Sequence, residues 1–275
     1  MSASSSWVRA VVLVCALGAG AEARAGYYME HEAVLPNPQT MQPQRSTVRS
    51  WHEGRRFKRQ TPMTNEFVII DLDKGEVVGI NEDLRTYWRM PSARYHQVSL
   101  MSLMVMGVTP TADGGIATPP GLFKKTGQTA EIAGRKAYEV EVQGKLPPGM
   151  RTTFWLSTEV PLPMARMVEQ LNFALGEPKH PGFQDLFAQW RSLEGYPVQS
   201  ITSMRFPQGG VITTSETLVL YRDEKVSPSV FEVPKGYSMT TDPITLAEQA
   251  LQQAKQGQPP AGLSAPLVTP PAQGR

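Results

Sequence analysis

Residues 66–91, EFVIIDLDKGEVVGINEDLRTYWRMP, set three short apolar-rich runs against two polar corners, and this rhythm constrains the fold more than any other feature. Residues 67–72 and 76–80 flank an Asp-Lys-Gly turn, and residues 86–90 follow a second corner at 81–83. Connections this short cannot carry a parallel crossover, so the stretch reads as an antiparallel meander. Upstream, residues 27–35 alternate, with Tyr27, Met29, His31 and Ala33 on one side and Tyr28, Glu30, Glu32 and Val34 on the other, until Pro36 and Pro38 break the run. Residues 46–59 form a further extended segment with a turn or bulge at Gly54. Strands are expected again at 128–132, 137–143 and 151–157, with corners at Ala133-Gly134-Arg135 and Pro147-Pro148-Gly149. A last hairpin, 198–206 and 211–221, turns through Gln208-Gly209-Gly210.

Two helices interrupt this succession. Met164, Met167, Val168, Leu171, Ala174 and Leu175 keep a helical spacing and stop at Gly176, and Phe183, Leu186, Phe187, Trp190 and Leu193 repeat it up to Gly195. Each has one apolar stripe to bury, and the face of the sheet is the place for it. Residues 98–108, VSLMSLMVMGV, are nearly continuous apolar sequence readable as helix or buried strand, and 109–126 read as a Pro and Gly loop. Near the end, Val230, Phe231 and Val233 lie between Pro228 and Pro234-Lys235-Gly236, which predicts a closing strand. Asp242-Pro243 then caps a weakly amphipathic helix through Ile244, Ala247, Leu251 and Ala254, and the Pro, Gln, Ala and Gly content from 257 to 275 predicts disorder.

The first 25 residues have the form of a cleavable secretory signal: Arg9 before the apolar stretch AVVLVCALGA, then Ala23-Arg24-Ala25. That stretch is about half the roughly 20 residues a membrane-crossing helix needs, so a periplasmic chain without a transmembrane anchor is expected. Cys15, the only cysteine, lies inside the leader, which leaves residues 26–275 no disulfide, thiolate nucleophile or cysteine metal site. The net charge is +2, and loss of Arg9, Arg24 and Glu22 with the leader lowers it by one, a balance that argues against nucleic acid as a partner. The local run Arg55, Arg56, Lys58 and Arg59 around Phe57 reads as the solvent side of a strand.

No nucleophile elbow, zinc-protease helix, phosphate loop or dinucleotide fingerprint occurs, so neither an enzyme nor a cofactor is expected. His31 between Glu30 and Glu32, with His52 beside Glu53, offers the one set of metal-ligating or proton-moving residues, a metal-dependent hydrolase in its strongest form. Strand alternation works against it, because His31 and its flanking glutamates face opposite sides. Asp71 and Asp73 share a strand side but fit a hairpin corner, and His96 and His180 are isolated. Methionine is in excess: Met101, Met104 and Met106, with Met164 and Met167, suit either an ordinary core or a wall that adapts to varied apolar ligands. At about 0.8 kcal/mol per buried methylene, a ten-carbon acyl chain could gain roughly 8 kcal/mol, so lipid binding needs no motif.

The order of parts resembles a bacterial periplasmic family related to the outer-membrane lipoprotein carriers, the LolA-like half-barrels. The resemblance rests on the hairpin IIDLDKGEVVGINEDLRTYWRM, on Thr126-Gly127 with Ile132-Ala133-Gly134 in TGQTAEIAGRKAYEVEV, on Trp155 before Val160-Pro161 in FWLSTEVPLP, on Gly195-Tyr196-Pro197-Val198 in GYPVQS, and on Phe231-Glu232-Val233-Pro234 before Gly236-Tyr237. It implies an α+β fold in which a strongly curved antiparallel β-sheet, an incomplete barrel, is covered by helices around an apolar cavity. The domain would span 26–240, behind a signal at 1–25 and followed by a C-terminal helix at 241–256 and a disordered tail at 257–275. The function implied is non-enzymatic binding of a hydrophobic small molecule or lipid, or of an acylated envelope protein. Met101, Leu103, Met104, Met164, Met167, Leu171, Phe183, Phe187 and Trp190 are the expected lining or lid. The alternative is a structural or protein-interaction module of the cell envelope with a packed core.

Overall fold

Every short corner read from the sequence joins antiparallel neighbours, and the result is two meanders fused side by side. The computed structural model describes residues 26–37, 40–95, 103, 107–162, 164–175, 179–207 and 209–255. The expected signal and C-terminal tail therefore lie outside the described residues, as do most of 98–106. The first meander runs β1 (Tyr27–Pro36), β2 (Pro43–Glu53), β3 (Arg56–Gln60), β4 (Glu66–Asp71), β5 (Glu76–Asn81) and β6 (Thr86–Pro91). A two-stranded ribbon, β7 (Thr109–Pro110) and β8 (Ile116–Ala117), occupies the expected loop, and β9 (Phe123–Ile132) begins earlier than its alternation suggested. The second meander comprises β9, β10 (Arg135–Val142), β11 (Met150–Ser157), β12 (Tyr196–Arg205) and β13 (Val211–Asp223), with helices α1 (Met164–Ala174) and α2 (Pro181–Arg191) between β11 and β12. At the β9–β10 corner Ala133 and Gly134 both take positive φ, 48° and 76°, the backbone of the tight turn that matches strand twist.

The halves join where β1 pairs with β13, so one sheet of 12 strands runs β14-β6-β5-β4-β3-β2-β1-β13-β12-β11-β10-β9. It is antiparallel except where β14 (Ser238–Met239) runs parallel to β6, and its edges β14 and β9 do not pair with each other, so it does not close. The expected closing strand is corrected at this point. Residues Pro228–Phe231 form a 3-10 turn, closed by Val230 N–H to the Ser227 carbonyl at 3.0 Å, and the strand comes only at Ser238. Pro228 takes a first-turn position, where its missing N–H costs nothing. The turn sends Val230, Phe231 and Val233 into one apolar cluster instead of onto alternate faces.

Opposed residues of an antiparallel pair share a face, and that rule traces one continuous surface across the sheet. It runs from Val68 through Arg59, Ser50 and Met29 to His31 and Ala33 two and four residues along β1, then through Glu216, Ser200 and Phe154 to Val140. At its β4–β6 end lie Ile70, Val77 and Met90, with Phe57, Trp88, Tyr95 and Ile244 of helix α3 (Pro243–Lys255) packed on them. At its β9–β12 end Val140, Val142, Phe154 and Leu156 meet the stripes of α1 and α2. The opposite face of the first meander, Phe67, Ile69, Val78 and Ile80, is covered by Val226, Phe231 and Tyr237.

Candidate functional site

Between the two helix-covered ends, the same face carries polar side chains. Across β3 and β13, Arg59 Nη2 lies 2.6 Å from both carboxylate oxygens of Glu216. Two strands stand between them, and the register sets Glu216 four residues along β1 from the level of Arg59, so in a flat sheet their backbones would be about 19 Å apart. The bridge requires the sheet to bend toward this face. Ser50 stands opposite Arg59 and Ala33 opposite Glu216, with Met29 and His31 on β1 between the two rows.

A cavity of about 180 Å³ occupies this bend. Strand β1 contributes Met29 and His31, β2 Ser50, β3 Phe57 and Arg59, β13 Glu216, β12 Tyr196, Pro197 and Ser200, β11 Phe154, and helix α1 Met167. Its walls are mainly apolar, and Arg59 and Glu216 keep 30% and 28% of their side-chain surface exposed. His31 is 7% exposed and Ser50 fully buried; His31 Nδ1 and Ser50 Oγ are buried polar atoms without a hydrogen-bond partner. Nδ1 stands 3.7 Å from Glu216 Oε1, beyond hydrogen-bond reach. Burial pushes the His31 pKa down to about 4, against the pull of Glu216, so the imidazole is neutral at pH 7. Burial alone would raise the Glu216 carboxyl, but the Arg59 charge and hydrogen bonds, joined in acid by protonated His31, hold it below its ordinary value. Burial also raises Tyr196, whose hydroxyl donates to Met29 Sδ at 3.6 Å.

The residues expected from the sequence to line a cavity divide into three groups. Leu103, Met164, Phe183, Phe187 and Trp190 are buried inside the packed cluster between α1, α2 and the sheet, with Trp190 against Phe123 and Phe154 at ring-centroid distances of 4.3 and 5.0 Å. Met167 lines the cavity, and Leu171 is half-buried against the packed cluster. Met101 and Met104 lie outside the described residues.

His31 and His52 share a face but sit four residues apart along the paired strands, since Tyr27 stands opposite His52 and Val48 opposite His31. That is about 13 Å of strand, too far for one metal ion. His52 instead stacks on Tyr27 at 4.2 Å and lies tilted against Phe57 at 4.3 Å. Among the described residues no three His, Cys, Asp or Glu side chains are grouped to hold a metal. Asp71 serves its corner, accepting from Lys74 N–H at 3.1 Å. His180 is not isolated: its Nδ1 accepts from Gly182 N–H at the start of α2, and its Nε2 lies 3.2 Å from Asp113.

Sequence reading missed Arg59, Glu216 and Ser50. The basic run is divided by the pleat. Arg56 and Lys58 lie over Phe231 and Phe67 on the opposite face, at 4.9 and 4.5 Å, while Arg59 enters the cavity. Alternation through Phe57 and Arg59 was the available signal, because it places the arginine beside an aromatic on one face. A larger groove of about 490 Å³ lies against β9–β11, lined by residues such as Lys136, Tyr138 and Thr158. No buried unpartnered polar atom converges there among the described residues.

No family model and no curated protein matches the sequence. Solved structures similar to this chain include an uncharacterised conserved protein from Thermus thermophilus, with a TM-score of 0.41 and 8% identity over 79% of this chain and 91% of that one. The MucA/MucB complex of Pseudomonas aeruginosa gives a TM-score of 0.36 at 12% identity, over 80% of this chain and 59% of that one. A LolA superfamily protein from Nitrosomonas europaea gives a TM-score of 0.30 at 9% identity, over 76% and 90% of the two chains.

Proposed function

We propose that this is a non-enzymatic periplasmic protein that binds a hydrophobic ligand, a lipid or the acyl chain of a modified protein, where the sheet bends beneath α1. The observation that carries the reading is the cavity walled by Met29, Phe57, Phe154 and Met167. Its volume of about 180 Å³ falls below the roughly 300–1,000 Å³ of pockets that enclose a whole drug-sized ligand. A cavity of about 150 Å³ holds one benzene, so this one takes the end of a chain, with the remainder leaving past Arg59 and Glu216. Serine hydrolysis finds no support, since Ser50 Oγ has no hydrogen bond to His31 or to any other base.

The test is native mass spectrometry and lipid extraction of protein purified from the periplasm, on the wild type and on Met167→Trp, which fills the cavity. Co-purified acyl species on the wild type and their loss from a folded Met167→Trp variant are expected. Clean protein that takes up no fluorescent lipid would favour the second reading, a packed interaction module of the cell envelope. That reading draws on the burial of Leu103, Phe183, Phe187 and Trp190 in one apolar cluster.

A further inference from the structure

Resting on that reading, we infer that the cavity selects the chemistry of the ligand's head: it is built for an amphiphile whose apolar chain carries a neutral hydrogen-bonding group, an amide or a hydroxyl, received by Ser50 and His31. Three observations meet here. Both residues line the cavity, both are more than nine-tenths buried, and each has a buried polar atom with no hydrogen-bond partner. A buried polar group left unsatisfied is costly, and a structure rarely carries two in one place without a use for them. The two side chains are diagonal neighbours on one face, because Ser50 stands opposite Met29 and His31 follows Met29 by two residues. Diagonal neighbours of this kind lie within reach of one common group.

The charges in the lining restrict that group. Arg59 and Glu216 are the two charged residues of the cavity wall, and one Arg59 nitrogen binds both Glu216 oxygens. Neither charge is left over to compensate a carboxylate, a phosphate or an ammonium brought in by a ligand, and an uncompensated buried ion is far more expensive than a neutral dipole. A serine hydroxyl both donates and accepts, and a neutral imidazole has one donor and one acceptor nitrogen. An amide or hydroxyl, which also donates and accepts, can satisfy both. The burial that keeps His31 neutral at pH 7 supports the same assignment. Apolar contact from Met29, Phe57, Phe154 and Met167 would then hold the first carbons of the chain.

Calorimetric titration of the full chain at pH 7.5 with octanamide, octanoate and octylammonium tests this, since the three share a chain and differ in head charge. Octanamide is expected to bind at least tenfold tighter than either ion. Ser50→Ala should reduce octanamide binding about tenfold while leaving urea stability unchanged or raised, because it removes an unpaired hydroxyl. His31→Gln, which keeps a donor and an acceptor, should retain octanamide affinity within a few-fold, and His31→Leu should lose it. Equal affinity for all three probes, unmoved by Ser50→Ala, would overturn the head-group site and leave the hydrophobic cavity standing. Tightest binding of octanoate would overturn it by making Arg59 the anchor. Failure of every probe to bind would remove the head-group site together with the cavity reading beneath it.

Discussion

At residue scale, the burial of His31 ties the stability of the fold to pH. Its pKa falls from the ordinary 6.5 to about 4 because burial disfavours the charged ring. Between those values the unfolded chain binds a proton that the folded chain does not, so stability is full above pH 6.5 and is lost as the pH falls toward 4. Over the step from pH 7 to pH 5 the loss comes to about 2 kcal/mol. Glu216, which burial would raise but Arg59 holds below its ordinary 4.5, pulls in the same direction only at lower pH, so the step separates the histidine from that carboxylate. Urea unfolding at the two pH values is expected to show this loss in the wild type and less than about 0.5 kcal/mol in His31→Gln. An equal loss in both proteins would mean that another group sets the acid limit. The sequence showed His31 on one side of a strand with glutamates on the other. Which side is buried, and against what, depended on β13, a strand from the far end of the described chain.

At the scale of elements, α2 is held over the sheet by backbone contacts that admit no extra atom. A Cβ on Gly182 would stand 1.7 Å from the Ile116 carbonyl oxygen, and the Gly182 carbonyl accepts from Thr118 Oγ1 at 2.8 Å. Further along the helix, Gln189 receives Leu122 N–H at 2.7 Å and donates to the Pro119 carbonyl at 2.9 Å. The segment 116–122 is thereby fastened to the helix. Gly182→Ala is expected to cost about 1–3 kcal/mol, since backbone on both sides must move. Urea unfolding together with faster amide exchange at 116–122 would register it; an unchanged midpoint would show that the contact gives way cheaply. The helix itself was legible from the spacing of Phe183, Leu186, Phe187 and Trp190. Its fastening was not, because a Pro and Gly loop has no period to reveal what it touches. The Val230-Phe231 segment shows the converse: its alternation suggested a strand, but Pro228 began a 3-10 turn and the cluster drew both residues to one side.

For the whole molecule, the continuity of the sheet depends on the β1–β13 pairing, which joins the two meanders from opposite ends of the described chain. Helix α3, by contrast, rests on the sheet through Ile244 and through Arg94, which lies 3.6 Å from Asp242 and 2.7 Å from Glu248. Native-state hydrogen exchange should therefore be slowest in 27–34 and 215–223 and fastest in 243–255, differing by orders of magnitude. Uniform protection would mean that the helix folds and unfolds with the sheet. The sequence alone determined the antiparallel meanders, their corners and the two helical stripes, since periods of two and of 3.6 and the turn residues act over a few neighbours. The tertiary structure decided that β1 meets β13, that a cavity lies near their seam, and that the sheet bends far enough for Arg59 to reach Glu216. Those partners are 157 residues apart in the chain, and their meeting is set by which strands pair and how the sheet curls, which no local pattern encodes.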